Sequence, residues 1–265
     1  MRSNRWEELS ADELSVRLTA LDGHEVGVVP VGATEQHGPH LPAGTDTIIA
    51  TALCDRVAER TGCLVLPAIS VACSFGHGQV LGGTISSTPE LVASTARQYA
   101  EWAAYSGLTR LLFVNAHFGN GAALSVATDH LRLHRRDLRA AYVDWYSSTP
   151  EILAEVTADG DDIHANRAET SVMLALAPHL VDMALMVTAD DADRTDGLVF
   201  RYTAESLSTN GVTGNPSAAT VELGVHLVEL AVAALSDLVE RGRVEEPPLV
   251  AHRPVGSSAQ PSFSP

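Results

Sequence analysis

HEVGVVPVG, residues 24–32, is a largely apolar run that ends in glycine, and it predicts a strand buried inside a parallel sheet. The chain continues as GATEQHGPHLPAGTD, residues 32–46, whose glycines and prolines exclude a helix or a long strand. This loop therefore starts at the carboxyl end of a strand, the edge of an open α/β sheet where ligands bind. Its charged and titratable residues are Glu35, His37, His40 and Asp46.

The rest of the chain alternates between strand and helix patterns. Short apolar runs bounded by turn residues predict strands at 24–32, 63–72, 109–117 and 138–145. Apolar residues at helical spacing predict helices at 46–62, 87–107, 120–136, 167–180 and 215–242. This alternation predicts an α/β fold with a single doubly wound, mostly parallel sheet flanked by helices on both faces. We expect one domain over residues 1–243 and a disordered tail, rich in proline and serine, over residues 244–265.

The composition excludes several classes of protein. The formal net charge is −16 without a basic stripe, so we expect no binding to nucleic acid or to a membrane surface. All 17 basic residues are arginine, which excludes a Schiff-base or P-loop lysine. No apolar run approaches the roughly 20 residues of a membrane span, and the N-terminus lacks a signal-peptide core, so we expect a cytoplasmic protein. Cys54, Cys63 and Cys73 form no CxxC pair and are expected to be buried free thiols.

Polar residues in two other segments are predicted to reach the same edge of the sheet. His117 ends the strand at 109–117, and His164 and Glu169 lie around the start of the helix at 167–180. Carboxylates and neutral imidazoles suit Zn²⁺, Mn²⁺ or Fe²⁺, and the lack of thiolates argues against a structural zinc site. An aspartate at a loop–helix junction, such as Asp46, can bridge two ions. Capping hydrogen bonds or a solvated surface are the alternative explanation for these residues.

Four stretches of the sequence resemble one family. GATEQHGPHLPAGTDT, VNAHFGN, DIHANRAETS and GVTGNPSAATVELG are similar, in this order, to motifs of the creatininase (creatinine amidohydrolase) family. They span about residues 25 to 225, which is nearly the whole predicted domain. The resemblance implies a compact α/β fold, a homo-oligomer that is often a hexamer, and a two-metal hydrolase that cleaves amide C–N bonds.

The resemblance also implies roles for individual residues. Glu35, Asp46 and His117 would hold one divalent ion. His37, Asp46 and Glu169 would hold a second ion, so that Asp46 bridges the pair. His164 corresponds to a histidine near the scissile bond, and we expect it to donate a proton to the leaving nitrogen. We expect the two ions to be Zn²⁺, Mn²⁺ or both, with Fe²⁺ as a further option.

The chain departs from the family at several positions. Phe118 replaces a glycine and would place an aromatic ring beside the metal, and Gly119 stands where creatininase itself carries a glutamate ligand. Asn166 replaces a glycine and Asn215 an aspartate. These departures mean that activity on creatinine itself is not implied.

Three residues are candidates for the substrate pocket: Phe118, Trp145 and His77. The last two also have a second explanation. Trp145 could equally be a core tryptophan at a strand end, and His77 could be a solvated turn histidine. His40 is expected to support its loop rather than to bind metal.

The function predicted from the sequence is that of a metal-dependent hydrolase acting on C–N bonds other than ordinary peptide bonds. The substrate would be a small amide, with a cyclic amide as the first choice, attacked by water activated between two metals. Alternatives are a metal-dependent peptidase that trims a peptide C-terminus in a biosynthetic pathway, or an isomerase of a small carbonyl compound. A metal-containing pathway partner without catalysis is the remaining alternative.

Overall fold

A computed structural model of the chain describes residues 3–78 and 81–249. Within these residues, four strands form one sheet in the order β2-β1-β3-β4. The strands are β1 (Val26–Val31), β2 (Leu64–Val65), β3 (Arg110–Asn115) and β4 (Arg139–Asp144). Every neighbouring pair is parallel, so the carboxyl ends of all four strands lie at one edge. The predicted single parallel sheet is confirmed.

Helices pack on both faces of this sheet. They are α1 (Ala11–Ala20), α2 (Thr45–Thr61), α3 (Pro89–Tyr105), α4 (Gly121–His134), α5 (Pro150–Val156), α6 (Arg167–Leu176), α7 (Met183–Met186), α8 (Ala204–Leu207) and α9 (Val221–Val244). Alternate residues of β1 enter different hydrophobic clusters: Val28 packs with residues of α2, α6 and α9, and Val29 packs with residues of α3 and α4. Both clusters are buried, so the prediction of a doubly wound α/β fold is also confirmed.

Local sequence signals account for several helix boundaries. Thr88 accepts a hydrogen bond from Leu91 N at the start of α3, and Pro89 occupies the first helical position. Gly62 adopts a left-handed conformation with φ of 71° and ends α2. Pro178 starts a separate 3₁₀ turn, and α6 therefore ends at Leu176 although the predicted helix ran to residue 180.

Other boundaries differ from the prediction. The predicted strand at 63–72 is regular only at Leu64–Val65, and Ile69 adds one isolated bridge to Val31. The last helix begins at Val221 and not at 215, because Pro216 forms a 3₁₀ turn and Thr220 then caps α9. The helices α1, α5, α7 and α8 were not predicted.

The last helix and the three cysteines were also predicted from the sequence. Helix α9 ends at Val244, and residues 250–265 of the predicted tail lie outside the described residues. Cys54, Cys63 and Cys73 are buried and form no disulfide, as predicted. Among the described residues, none of the helices combines the length and the hydrophobicity of a membrane span.

Candidate metal centre

The loop at residues 32–46 is held tightly between β1 and α2. A Cβ on Gly32 would collide with the backbone of Thr47, so only glycine lets the end of β1 approach the first turn of α2 this closely. Thr47 Oγ1 donates to Ala33 O at 3.0 Å, and Glu35 N donates to Ala43 O at 2.9 Å. These bonds close the loop on itself and fix the directions of its side chains.

The structure brings the predicted ligand residues together at the carboxyl edge of the sheet. His117 follows β3, and Glu169 lies in the first turn of α6. Three buried groups each have ligand atoms within 4.8 Å of one another: Glu35, Asp46 and His117; His37, Asp46 and Glu169; and Glu35, His37 and His164. The first two groups are the sets that the resemblance implied, and Asp46 belongs to both.

Asp46 lies between two imidazoles. Its Oδ1 atom is 3.0 Å from His37 Nε2, and its Oδ2 atom is 3.3 Å from His117 Nδ1. His117 Nδ1 is also 3.1 Å from Glu35 Oε1. Each oxygen of Asp46 therefore faces a different half of the cluster, which is the arrangement that a bridging carboxylate needs.

Backbone carbonyls determine which ring nitrogen of each histidine faces the cluster. His37 Nδ1 donates to Glu35 O at 3.1 Å, and this leaves Nε2 toward Asp46. His117 Nε2 donates to Cys73 O at 2.7 Å, and this leaves Nδ1 toward the carboxylates. A metal-binding histidine is commonly oriented in this way, by donating its other N–H to a carbonyl.

Gly119 makes the bond between His117 and Cys73 sterically feasible. A Cβ at this position would collide with both Cys73 O and the ring of His117. The residue that stands in place of the family's glutamate is thus required by close packing around the histidine.

The charge of the cluster fits a bound cation. Burial raises the pKa of Glu169 to about 8, and the nearby charge of Asp46 adds to this effect. Burial lowers the pKa of His37, but the charge and hydrogen bond of Asp46 overcome this and raise it to about 10. The buried carboxylates therefore keep protons nearby, on Glu169 and His37, when no other positive charge is present. A bound cation would supply that charge.

Unpartnered oxygens support the same conclusion. Glu35 Oε2 and Asp46 Oδ2 are buried without a well-aligned hydrogen bond among the described residues. Buried acceptors are normally satisfied, and divalent ions coordinate such oxygens. Carboxylates and imidazoles without thiolates also match the chemistry of catalytic Zn²⁺ or Mn²⁺ sites. The residues present therefore fit divalent metal.

His164 lies at the border of the cluster. Its Nε2 atom is 2.7 Å from Gln36 O, and its Nδ1 atom is 3.7 Å from Glu35 Oε1. The Gln36 carbonyl, which only accepts, lies closer to Nε2 than the Gln36 side-chain nitrogen does, at 2.7 against 3.0 Å. We therefore assign the proton to Nε2, which leaves the lone pair of Nδ1 facing the cluster. Burial, with the charges of His77 and His37, holds the pKa of His164 well below its usual range. His164 is therefore neutral at pH 7 in this arrangement.

Gln36 is a residue that the sequence analysis missed. It is buried, and its side-chain nitrogen lies 3.0 Å from His77 Nδ1 and 3.1 Å from Gly211 O, while its Oε1 accepts from Gly38 N at 2.9 Å. Gln36 therefore connects the ligand loop to His77 and to a distant turn. Its place between Glu35 and His37 was the only signal available in the sequence.

Most of the cluster lines a cavity of about 620 Å³: Glu35, Asp46, His117, His164 and Glu169. His77 and Phe118, the candidates for the substrate pocket, line this cavity. Phe118 stacks on Tyr146 with ring centroids 4.0 Å apart. Trp145 does not line it: the side chain is 1% exposed and packs in the hydrophobic core. The alternative explanation of Trp145 as a core residue therefore fits the structure, and the pocket role does not.

His40 takes no part in any of the three ligand groups. Its Nε2 atom lies 2.8 Å from Thr170 Oγ1, and the side chain is buried. Burial lowers the pKa of His40 to about 4, and the nearby charge of His37 acts in the same direction. The expected supporting role agrees with these contacts.

Comparison with known proteins identifies the family. A family model described as Creatininase, creatinine amidohydrolase, matches residues 7–239. The chain belongs to the creatininase family. Creatinine amidohydrolase of Pseudomonas putida is 30% identical over 259 residues, which cover 91% of this chain and 96% of that protein. Mycofactocin precursor peptide peptidase of Mycobacterium ulcerans (strain Agy99) is 36% identical over 208 residues, 74% of this chain and 77% of that protein.

Solved structures of creatininase share the fold. One crystal structure has a TM-score of 0.80 at 28% identity and covers 93% of this chain and 100% of its own. Two others, described as a Zn–Zn type mutant and a manganese form, have TM-scores of 0.79 at 28% identity and cover 92% of this chain and 100% of their own. The chain is accordingly a creatininase-family amidohydrolase, a hydrolase of C–N amide bonds, with a centre suited to divalent metal.

Proposed function

We propose that the chain hydrolyses the C–N bond of a small amide with two divalent ions per chain, Zn²⁺ or Mn²⁺. Glu35, Asp46 and His117 would hold one ion, and His37, Asp46 and Glu169 the other. The observation that carries this proposal is the position of Asp46, whose two oxygens face different imidazoles at 3.0 and 3.3 Å. When bound, two such ions acidify water towards neutrality and polarise a substrate carbonyl.

The protein groups around the ions would handle the proton. His164 is neutral and turns its Nδ1 lone pair toward the cluster, so it can take a proton that leaves the attacking water. The same atom can then give that proton to the departing nitrogen. The Gln36 carbonyl holds the ring in this orientation through Nε2–H. His164 thus acts first as acceptor and then as donor, which extends the role expected from the sequence.

Two substrate classes fit the metal centre itself. A cyclic amide is the first choice from the sequence, and a relative at 30% identity is named creatinine amidohydrolase. The C-terminus of a peptide is the second, and a relative at 36% identity is named a precursor peptide peptidase. The side chains of the cavity, rather than the metal ligands, distinguish these classes.

The assembly and location of the protein are further proposals. We propose a homo-oligomer, with a hexamer as the family suggests, in the cytoplasm. An exposed aromatic pair supports the assembly: Trp102 and Tyr105 on α3 are 68% and 81% exposed and contact each other. Large exposed aromatic side chains are typical of interfaces between protein chains.

Elemental analysis and isotope labelling test the proposed function together. Protein purified without chelator should contain about two Zn²⁺ or Mn²⁺ ions per chain. Hydrolysis of a substrate amide in ¹⁸O-labelled water should place one label in the product carboxylate. Well under one ion per chain after reconstitution would contradict the metal centre, and an unlabelled product would favour the isomerase alternative.

A further inference from the structure

Part of the cavity wall comes from an apolar segment between α7 and α8. Leu198, Val199, Phe200, Arg201 and Tyr202, here called the 198–202 segment, all line the cavity. Its apolar side chains are unusually open to solvent: Val199 is 87% exposed, Phe200 73% and Tyr202 51%. Exposed apolar surface costs free energy that contact with an apolar ligand would recover.

A second aromatic surface lines the same cavity. Phe118, which is 49% exposed, stacks on the buried Tyr146 with an interplanar angle of 17°. The stack holds the ring of Phe118 in place beside His117. The chain has only five phenylalanines, and two of them, Phe118 and Phe200, line this one cavity. The cavity is thus equipped to hold an apolar or aromatic group.

Arg201 adds a positive charge to this wall. Among the described residues that line the cavity, it is the one lysine or arginine. Over residues 3–78 and 81–249, no hydrogen bond or ion pair engages its guanidinium. An arginine binds a carboxylate through two parallel hydrogen bonds, and such charge-assisted bonds are strong.

We propose that the substrate is an amide that carries a carboxylate and an apolar side chain, as in an N-acyl amino acid or the C-terminus of a peptide. Arg201 binds the carboxylate, and Phe200 and Phe118 contact the apolar group. This inference rests on the proposed function and selects the second of its two substrate classes.

Two acidic side chains are the main argument for a different substrate. Asp161 and Asp162 also line the cavity and could attract a cation. Burial raises the pKa of Asp162, and the charge of Asp193 adds to this, so Asp162 is a weaker partner for a cation than an ordinary aspartate. Arg201, in contrast, lines the cavity without a carboxylate partner among the described residues. We therefore favour the anionic substrate, and a cationic one becomes an outcome of the test.

The test compares three probes that share the phenylalanine side chain and differ in charge. These are N-acetylphenylalanine, which is an anion, N-acetylphenylalaninamide, which is neutral, and phenylalaninamide, which is a cation. Binding to the zinc-loaded protein is measured by calorimetry at low temperature, and acetate or ammonia release is measured separately. We expect the anion to bind best and Arg201→Gln to weaken its binding about tenfold to hundredfold, with little effect on the neutral probe.

Matched controls separate charge at the cavity from charge in general. Arg136 is exposed, lies just before β4 at the opposite edge of the sheet, and has no partner among the described residues, so Arg136→Gln removes the same charge elsewhere. It should leave all three affinities unchanged. Phe200→Ala should weaken N-acetylphenylalanine more than N-acetylalanine, with the molecular mass in light scattering unchanged.

The outcomes separate this inference from the proposed function. Equal binding of the anion and the neutral probe, tighter binding of the cation, or no effect of Arg201→Gln would overturn the carboxylate site, even if amides are hydrolysed. A drop in mass for Phe200→Ala without a change in probe preference would make the 198–202 segment a subunit interface instead. If no amide is hydrolysed but the anion binds through Arg201, the site stands and the hydrolase proposal fails.

Discussion

The loop at residues 32–46 and the 198–202 segment border the same cavity, but the protein holds them very differently. In the loop, Glu35 N bonds to Ala43 O at 2.9 Å, and Glu35, His37 and Asp46 are each 1% exposed. In the 198–202 segment, the described residues form one backbone hydrogen bond, from Leu198 N to Thr195 O at 3.1 Å. Its apolar side chains extend into solvent.

This difference corresponds to two tasks of one site, which are metal binding and contact with the substrate. Ligands of a metal ion need fixed positions, and the loop obtains them through burial and hydrogen bonds on both sides of each imidazole. A wall that contacts the variable part of a substrate needs surface rather than rigidity, and such surface occurs on loops carried by a rigid scaffold. Mutations in the loop should therefore affect metal, chemistry and stability, whereas mutations in the segment should affect substrate preference alone.

The largest effect is expected from Asp46→Ala. Both proposed ions lose a ligand, so metal content should fall from about two ions to below one per chain. Activity should decrease more than about 10³-fold, since the ions supply several kcal/mol of transition-state stabilisation. Elemental analysis and turnover measure the two effects. Asp129→Ala, on the exposed face of α4, is the matched control; one ion retained tightly in Asp46→Ala would show that Asp46 is not a bridge.

A smaller effect is expected from His164→Ala. Turnover should decrease about 10²- to 10⁴-fold, because the proton between water and leaving nitrogen loses its carrier. Metal content should not change, and His134→Ala, exposed on α4, should leave turnover unaltered. Loss of one ion would instead make His164 a ligand, which its position near Glu35 and His37 permits. Full activity would leave it a structural role only.

The smallest effect is on stability and contrasts the two regions directly. His40→Ala removes a buried side chain and its bond to Thr170, so the free energy of unfolding should decrease by about 2–4 kcal/mol. Val199→Ala, in the 198–202 segment, should change it by less than about 0.5 kcal/mol. Denaturant unfolding of the metal-free proteins in chelator measures both values. Equal losses would contradict the distinction between the two regions.

The stability difference between the wild-type protein and His40→Ala should depend on pH. The pKa of His40 is lowered to about 4 in the folded protein, so the unfolded chain binds a proton first as pH falls. The wild-type protein therefore loses stability from about pH 6.5 down to pH 4, and His40→Ala lacks this part of the loss. The stability gap between the two proteins should narrow by about 2–3 kcal/mol over that range. A gap that stays constant would show that His40 titrates normally.

Much of the fold was available from local patterns. Apolar runs predicted β1, β3 and β4, and capping residues and glycines located the ends of α2 and α3, because these signals act over a few neighbouring residues. The strand at 63–72 was predicted too long, since its apolar residues continue past Val65 although regular pairing stops there. The short helices α7 and α8 have too few residues to show a helical period.

The sequence by itself determined the ligand types and their placement at one sheet edge, because parallel strands bring their carboxyl ends together. Only the tertiary structure decided which ring nitrogen of His117 faces the cluster, since the distant carbonyl of Cys73 selects it. Contacts between remote residues also buried Trp145 and joined Gln36 to Gly211. The 198–202 segment was beyond local prediction for the same reason: an apolar stretch indicates burial, and only the packed chain leaves it exposed beside a cavity.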